Sequence, residues 1–334
     1  MSHASGLEAS PGPLAALVSL AALALLAGAC AASHHATEPS PLGTPASSDA
    51  MLAALATPGP IALEKVIAAD WAVARSGLIN LDHPRARAAG LEDGDEPIEI
   101  SFFVLRHPER GTFIVDSGVE QGLREPERSE RIGFLVRKAM NSDALRVRVT
   151  TGEWLARRGE RLDGVLLTHL HLDHVMGVPD LPAGTPLYAG PDEPEASRFL
   201  HLFSRGTIDR FLEAAGPIRE WRFEPDPDGR FDGVLDVFGD GSLFALHVPG
   251  HTPGSTAFAV RTVEGPVLLL GDACHTRWGW ENDVEPGSFS LDRERSARSL
   301  ARLRDLAAQV PGLRVHPGHQ ALASSAVVAS VAVP

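Results

Sequence analysis

At 334 residues, with 44% hydrophobic and 22% charged side chains, the chain has apolar material for a large core, which excludes disorder along its whole length. Its 30 basic and 43 acidic side chains leave a formal charge of -13, so no basic field is available to neutralise a phosphate backbone and nucleic acid is not an expected partner. Two cysteines, Cys30 and Cys274, are too few for a disulfide scaffold or a four-thiolate zinc site, so any metal must be held by imidazole and carboxylate, for which 14 histidines are available.

Residues 14–29 read LAALVSLAALALLAGA, an uncharged apolar run followed by Cys30. Its length is below the roughly 18 residues of a spanning helix, and it has the character of the apolar region of a secretory signal. The string Leu26-Ala27-Gly28-Ala29-Cys30 resembles a bacterial lipoprotein box, which implies lipidation at Cys30 after removal of the preceding residues. Ala27 and Ala29 also suit an ordinary signal peptidase, which would release a soluble exported form. Residues 1–30 are therefore expected to be a signal peptide, and the mature protein to be exported to the bacterial cell envelope, lipid-anchored or periplasmic, with an extracellular form as the alternative. Residues 31–58, rich in Ala, Ser, Pro and Thr, read as a flexible tether in which His34 and His35 are solvated. Residues 59–334 then form one domain.

Within that domain, ISFFVLR at residues 100–106 and TFIV at residues 112–115, separated by His107-Pro108-Glu109-Arg110-Gly111, predict a β-hairpin. Further strands are predicted at residues 164–167, 243–248, 256–261 and 266–270, and helices at residues 153–158, 193–203, 207–215 and 291–308. Ser290 is the expected N-cap of the last helix, in which Leu300, Leu303 and Leu306 recur at helical spacing. Strand runs in both halves, each followed by helices, predict two packed sheets with helices outside, an αββα sandwich of the α/β class.

The most informative string is Thr168-His169-Leu170-His171-Leu172-Asp173-His174, directly after the apolar run Val165-Leu166-Leu167. In extended geometry His169, His171 and Asp173 project to one side while His174 comes from the following turn, so one short segment can face two metals. More candidate ligands lie at other strand ends beside glycine or proline: His251 in Pro249-Gly250-His251-Thr252-Pro253-Gly254, Asp272 in Leu270-Gly271-Asp272, and His319 in His316-Pro317-Gly318-His319. Neutral imidazoles and carboxylates are the donors that divalent metals take. Zn²⁺ is the expected ion, although the same donors accept Fe²⁺, Mn²⁺ or Co²⁺.

The pattern His169-x-His171-x-Asp173-His174, then His251, Asp272 and His319, resembles the metallo-β-lactamase-fold hydrolases. Asp272 resembles the aspartate of the lactonase, glyoxalase II and organophosphate hydrolase branches, which true class B β-lactamases lack. The resemblance implies that His169, His171 and His251 hold one metal, that Asp173, His174 and His319 hold the other, and that Asp272 bridges them. A bridging hydroxide would then be the nucleophile, with Asp272 or Asp173 moving a proton to the leaving group. The run from Phe103 to Gly111 followed by Ile114-Val115-Asp116-Ser117-Gly118 looks like the N-terminal hairpin of acyl-homoserine lactonase-like members, with Asp116 orienting the metal-binding loop. His275 stands where those lactonases carry a tyrosine that contacts the substrate carbonyl; it either donates a hydrogen bond there or is an ordinary loop histidine. Trp278 and Trp280 follow closely enough to wall an apolar pocket, or else are packing residues. The expected partner is a small ester or lactone. A thioester or phosphotriester is the alternative, and a glutathione thioesterase is disfavoured because no Lys or Arg follows His319. An envelope lipoprotein that keeps the fold for binding alone would have no need of all seven ligands.

Overall fold

The computed structural model describes residues 32–125, 129–196 and 201–322, with the backbone alone at residues 201–204. The expected signal peptide and Cys30 lie outside the described residues. In chain order the strands are β1 (Thr37–Pro39), β2 (Thr44–Pro45), β3 (Ala62–Ala74), β4 (Asp95–His107), β5 (Gly111–Val115), β6 (Arg146–Val147) and β7 (Gly164–Leu166). They continue as β8 (Leu187–Ala189), β9 (Ile218–Glu220), β10 (Gly233–Asp236), β11 (Leu243–His247), β12 (Thr256–Thr262), β13 (Gly265–Leu269) and β14 (Arg314–His316).

Side chains alternate between the faces of a strand, and here both faces are apolar, which forces each sheet to be covered twice. Phe103 and Leu105 of β4 join Phe113, Val115 and Leu166 in a core that also contains Leu235, Ala245, Phe258, Val260 and Leu269. That core lies between an eight-stranded sheet, β1-β9-β8-β7-β5-β4-β3-β6, and a six-stranded one, β14-β13-β12-β11-β10-β2. Phe102 and Val104, one residue out of phase, enter a second core with Trp154 and Phe211, under the helices Thr151–Arg158 and His201–Leu212. Val234, Phe244, Leu246 and Leu268 face a third core completed by Leu300, Leu303 and Leu306 of the helix Arg293–Gln309. The predicted four-layer αββα sandwich is present, with all three apolar layers filled.

The expected flexible tether is corrected. Residues 32–58 are part of the folded body: β1 pairs parallel with β9 and β2 antiparallel with β10, so the segment covers an edge strand of each sheet. Between them and β3 lies the helix Ser48–Leu55, capped by the Ser47 side chain, with Met51 and Leu55 buried in the third core. Two turns of helix and strands of two or three residues leave too short a period to stand out in an Ala- and Pro-rich string. His34 and His35 are nonetheless on the surface, beside Asp209 and the Gly216 carbonyl.

Two helix boundaries are also corrected. Asp292, not Ser290, caps the helix Arg293–Gln309 by accepting from the Arg295 amide. Glu193 lies in a turn, and the helix expected over residues 193–203 is described only from His201, as part of His201–Leu212. The long β3–β4 pair was not predicted, because Glu64, Lys65, Asp70, Glu96 and Glu99 break up its apolar pattern and a bulge between Ile67 and Ala69 shifts its phase.

Candidate metal centre

β11 and β13 are each antiparallel to β12, and β14 is parallel to β13, so the C-terminal ends of all three lie at one end of the second sheet. The loops that leave those ends carry His251, Asp272 and His319. β7 of the first sheet delivers the fourth loop. Its last residues are pinned by the Asp116 amide, which donates to the Leu166 carbonyl, and by Thr168, whose amide and hydroxyl both donate to the Asp116 carboxylate (2.8 and 3.1 Å). Asp116 itself has φ +60°, a left-handed conformation uncommon for aspartate, and its side chain is buried.

The extended reading of the histidine string is corrected at this point. The strand ends at Leu166; His171 immediately precedes the short helix Leu172–Val175, which places Asp173 and His174 on a helical turn. The outcome for the site is unchanged, because the string still faces two clusters. His169, His171, His251 and Asp272 form one group of potential ligands, and Asp173, His174, Asp272 and His319 form the other, with the donor atoms of each group within 4.8 Å of one another. Asp272 is common to both.

Outward ring nitrogens of the histidines are held by protein groups. His174 Nδ1 pairs with Asp116 (2.9 Å), His319 Nδ1 with the Glu99 carbonyl (3.0 Å), His251 Nδ1 with the Ser290 hydroxyl (3.2 Å), and His169 Nδ1 with the Thr168 hydroxyl (3.1 Å). Their Nε2 atoms converge on the Asp272 carboxylate: His251 at 3.3 Å, His174 at 3.4 Å, His169 at 3.6 Å and His319 at 3.2 Å. His171 enters through Nδ1, 2.8 Å from His251 Nε2. Donors bound at about 2.0–2.1 Å around one ion lie about 3–3.5 Å apart, so these spacings match a shared ion.

Donor chemistry makes the same case. Buried His174 Nε2 has no hydrogen-bond partner among the described residues, as expected of an atom reserved for a cation. Burial pushes His169 and His251 well below the ordinary histidine range, and neighbouring imidazoles push the same way, so both rings are held neutral as ligands must be. Burial also opposes charge on His319, yet Asp272 and Asp173 raise it to about 9; the carboxylates at this centre call for positive charge. Backbone has been trimmed to let the loops approach: a Cβ on Gly318 would lie 2.4 Å from Asp272 Oδ1, and Gly250, at φ +140°, would put one 2.2 Å from the Ser296 amide. The residues present therefore fit two divalent ions.

His275 is brought to the centre: it is buried, its Nδ1 meets the Leu78 carbonyl at 3.1 Å and its Nε2 lies 3.1 Å from Asp272 Oδ2. Trp278 and Trp280 lie on the helix Arg277–Asn282 but join different cores. Trp278 packs, partly buried, against the core beneath the first sheet's helices. Trp280 packs against the outer core of the second sheet with the Arg304 guanidinium 5.4 Å over its ring, the contacts of a packing residue. Cys274 is buried, and burial pushes its thiol up to about 12, consistent with a small apolar residue. Of the aromatic residues in the helices predicted at residues 193–203 and 207–215, Phe211 belongs to the core and Phe199 lies outside the described residues.

Three supporting groups escaped the sequence. Ser290 reads as a helix cap and instead meets His251. The Glu99 carbonyl holds His319, and a backbone atom leaves no signal in sequence. Glu193 is a buried carboxylate within a string, PDEPEAS, that looks like solvated loop; burial pushes it up to about 7, against the pull of hydrogen bonds from Thr252, Leu170 and Gly254.

Residues 96–319 match the family model of the metallo-β-lactamase superfamily, the larger part of the chain. The chain belongs to that superfamily and is a metal-dependent hydrolase. It is 29% identical over 228 residues to a protein from Azorhizobium caulinodans named N-acyl homoserine lactonase AttM, covering 67% of this chain and 83% of that one. Its counterpart of the same name from Agrobacterium fabrum is 33% identical over 144 residues, 43% of this chain and 52% of the relative. Among solved structures, a quorum-quenching N-acyl homoserine lactone lactonase superposes with a TM-score of 0.53 at 20% identity, over 77% of this chain and 91% of the other. An N-acyl homoserine lactone hydrolase with N-hexanoyl-L-homoserine bound at its catalytic metal centre does so with a TM-score of 0.53 at 19% identity, over 79% and 94%. These superpositions establish the shared fold.

Proposed function

We propose that the protein is a two-metal hydrolase that opens carboxylic esters, with N-acyl homoserine lactones as its leading substrates. The observation that carries this reading is Asp272, whose two oxygens face both groups of histidine ligands at once. His169, His171 and His251 would hold one ion, and Asp173, His174 and His319 the other, with Asp272 shared. Such a pair supplies a water of lowered pKa as nucleophile and polarises the scissile carbonyl, so no serine or cysteine nucleophile is required.

The chain's own groups do the rest. Asp116, Ser290, Thr168 and the Glu99 carbonyl fix the rings so that each presents a bare nitrogen inward. Asp173, partly exposed beside His319 at 3.3 Å, is placed to pass a proton to the departing alkoxide, and Asp272 is the other candidate for that transfer. His275 completes the wall beside Asp272, and its Nδ1–H is committed to the Leu78 carbonyl. The relatives named as lactonases favour the lactone among ester substrates. Outside the catalytic body, the apolar run at residues 14–29 and Cys30 support export and a lipid anchor.

A panel of acyl-homoserine lactones, aryl esters, a thioester and an aryl phosphotriester tests the reading. Ring opening of the lactones is expected to be the fastest reaction. Cleavage of the thioester or the phosphotriester alone would overturn the substrate class while leaving the site intact.

A further inference from the structure

The loop that carries His169, His171, Asp173 and His174 is anchored at two separate points. Near Thr168 and His174 it is held by Asp116. Its other half depends on Glu193, whose Oε2 accepts from the Leu170 amide at 2.8 Å, between His169 and His171. The other carboxylate oxygen, Oε1, accepts from the Gly254 amide at 2.9 Å and from the Thr252 hydroxyl, on the loop that carries His251. One buried carboxylate thus joins the two loops that supply the three histidines of a single ligand group. The fit around it is close: a Cβ on Gly190 would lie 1.7 Å from the Gly254 carbonyl oxygen, so the backbone leading to Glu193 lies directly against the second loop. Beyond Glu193, the Pro194 carbonyl is tied by the Ser33 amide of the N-terminal segment (3.0 Å).

We propose that Glu193 is a positioning residue for one ion of the pair, setting the separation of the 169–171 and 251–254 loops and thereby the affinity of the His169, His171 and His251 group. Glu193 acts through the Leu170 and Gly254 amides, on the backbone beside these three side chains. The inference rests on the two-metal reading above. A carboxylate is required because each oxygen accepts from a backbone N–H: in Glu193→Gln the amide N–H₂ must point at either the Leu170 amide or the Gly254 amide, and one loop is released.

The test is titration of Co²⁺ into the metal-depleted full chain, followed by visible absorption, for wild type, Glu193→Gln, Glu193→Ala and Asp116→Asn. Asp116→Asn identifies the phase belonging to the His174 group. Both Glu193 variants are expected to weaken the other phase alone, by about 10- to 100-fold, the usual effect of losing a group that orients ligands. Weakening of both phases equally would show a merely structural role and overturn the proposal, as would two phases within twofold of wild type. If neither Glu193 variant folds, Thr252→Val, which removes one of the three donors, carries the test: the same phase alone must weaken, and unchanged binding overturns the proposal. A wild-type chain that takes up no Co²⁺ would instead overturn the metal-site reading on which it rests.

Discussion

Asp116→Asn exchanges a single oxygen for nitrogen and should disable one ligand without touching it. Asp116 Oδ1 accepts from the Thr168 amide at 2.8 Å, which fixes the side chain's orientation, and Oδ2 faces His174 Nδ1 at 2.9 Å. An asparagine that keeps the first bond must turn its N–H₂ toward His174 Nδ1. That nitrogen then has to accept, the ring proton moves to Nε2, and Nε2 is the atom that faces Asp272 at 3.4 Å. A protonated Nε2 cannot ligate, so the second ion should lose affinity by about 10- to 100-fold, or about 1.4 to 2.7 kcal/mol. Metal content after dialysis against a graded chelator reads this directly, and turnover should fall with occupancy and recover at excess metal. Two ions retained at wild-type affinity would refute the tautomer reasoning and reduce Asp116 to a turn residue.

Three further outcomes are expected. Asp272→Asn removes the shared charge and should lower both metal content and turnover, by at least about 100-fold in the latter; full turnover with both ions retained would remove Asp272 from proton transfer and bridging alike. Leu55→Ala, in the N-terminal helix, should destabilise the chain by about 2–5 kcal/mol, seen as a lower urea midpoint at unchanged slope; an unaltered midpoint would return residues 31–58 to the status of a tether. Burial lowers His316 from the ordinary 6.5 to about 4, with Lys65 and Arg314 adding to the effect. Between those values the unfolded chain binds a proton that the folded chain refuses, so stability of the metal-depleted protein should fall as pH drops from 6.5 to 4, by up to about 3 kcal/mol. His316→Leu should flatten that slope, and an equal slope in both proteins would contradict the assignment.

The site was far more legible in the sequence than the scaffold around it. All seven candidate ligands converge, because metal donors are chemically distinctive and their glycine-flanked positions at strand ends follow from backbone geometry. What the sequence hid was of two kinds. Short elements such as β1, β2 and the helix Ser48–Leu55 exist because distant strands offer them edges and apolar surface, so tertiary packing rather than local period defines them. Supporting groups such as Glu193, Ser290 and the Glu99 carbonyl gain their meaning from what they touch, and Ser290 was claimed by a plausible local role as a cap. The helical turn at Asp173 and His174 shows that a converging set of donors can be reached through an incorrect backbone: alternation along a strand and the first turn of a helix both send these side chains toward two centres.

Metal content per chain of the purified protein, measured alongside lactone opening before and after chelation, tests the account most directly. Two divalent ions per chain are predicted, with hydrolysis abolished by their removal and restored by their return. Fewer than one ion per chain, or ring opening that survives complete metal removal, would contradict the two-metal hydrolase itself.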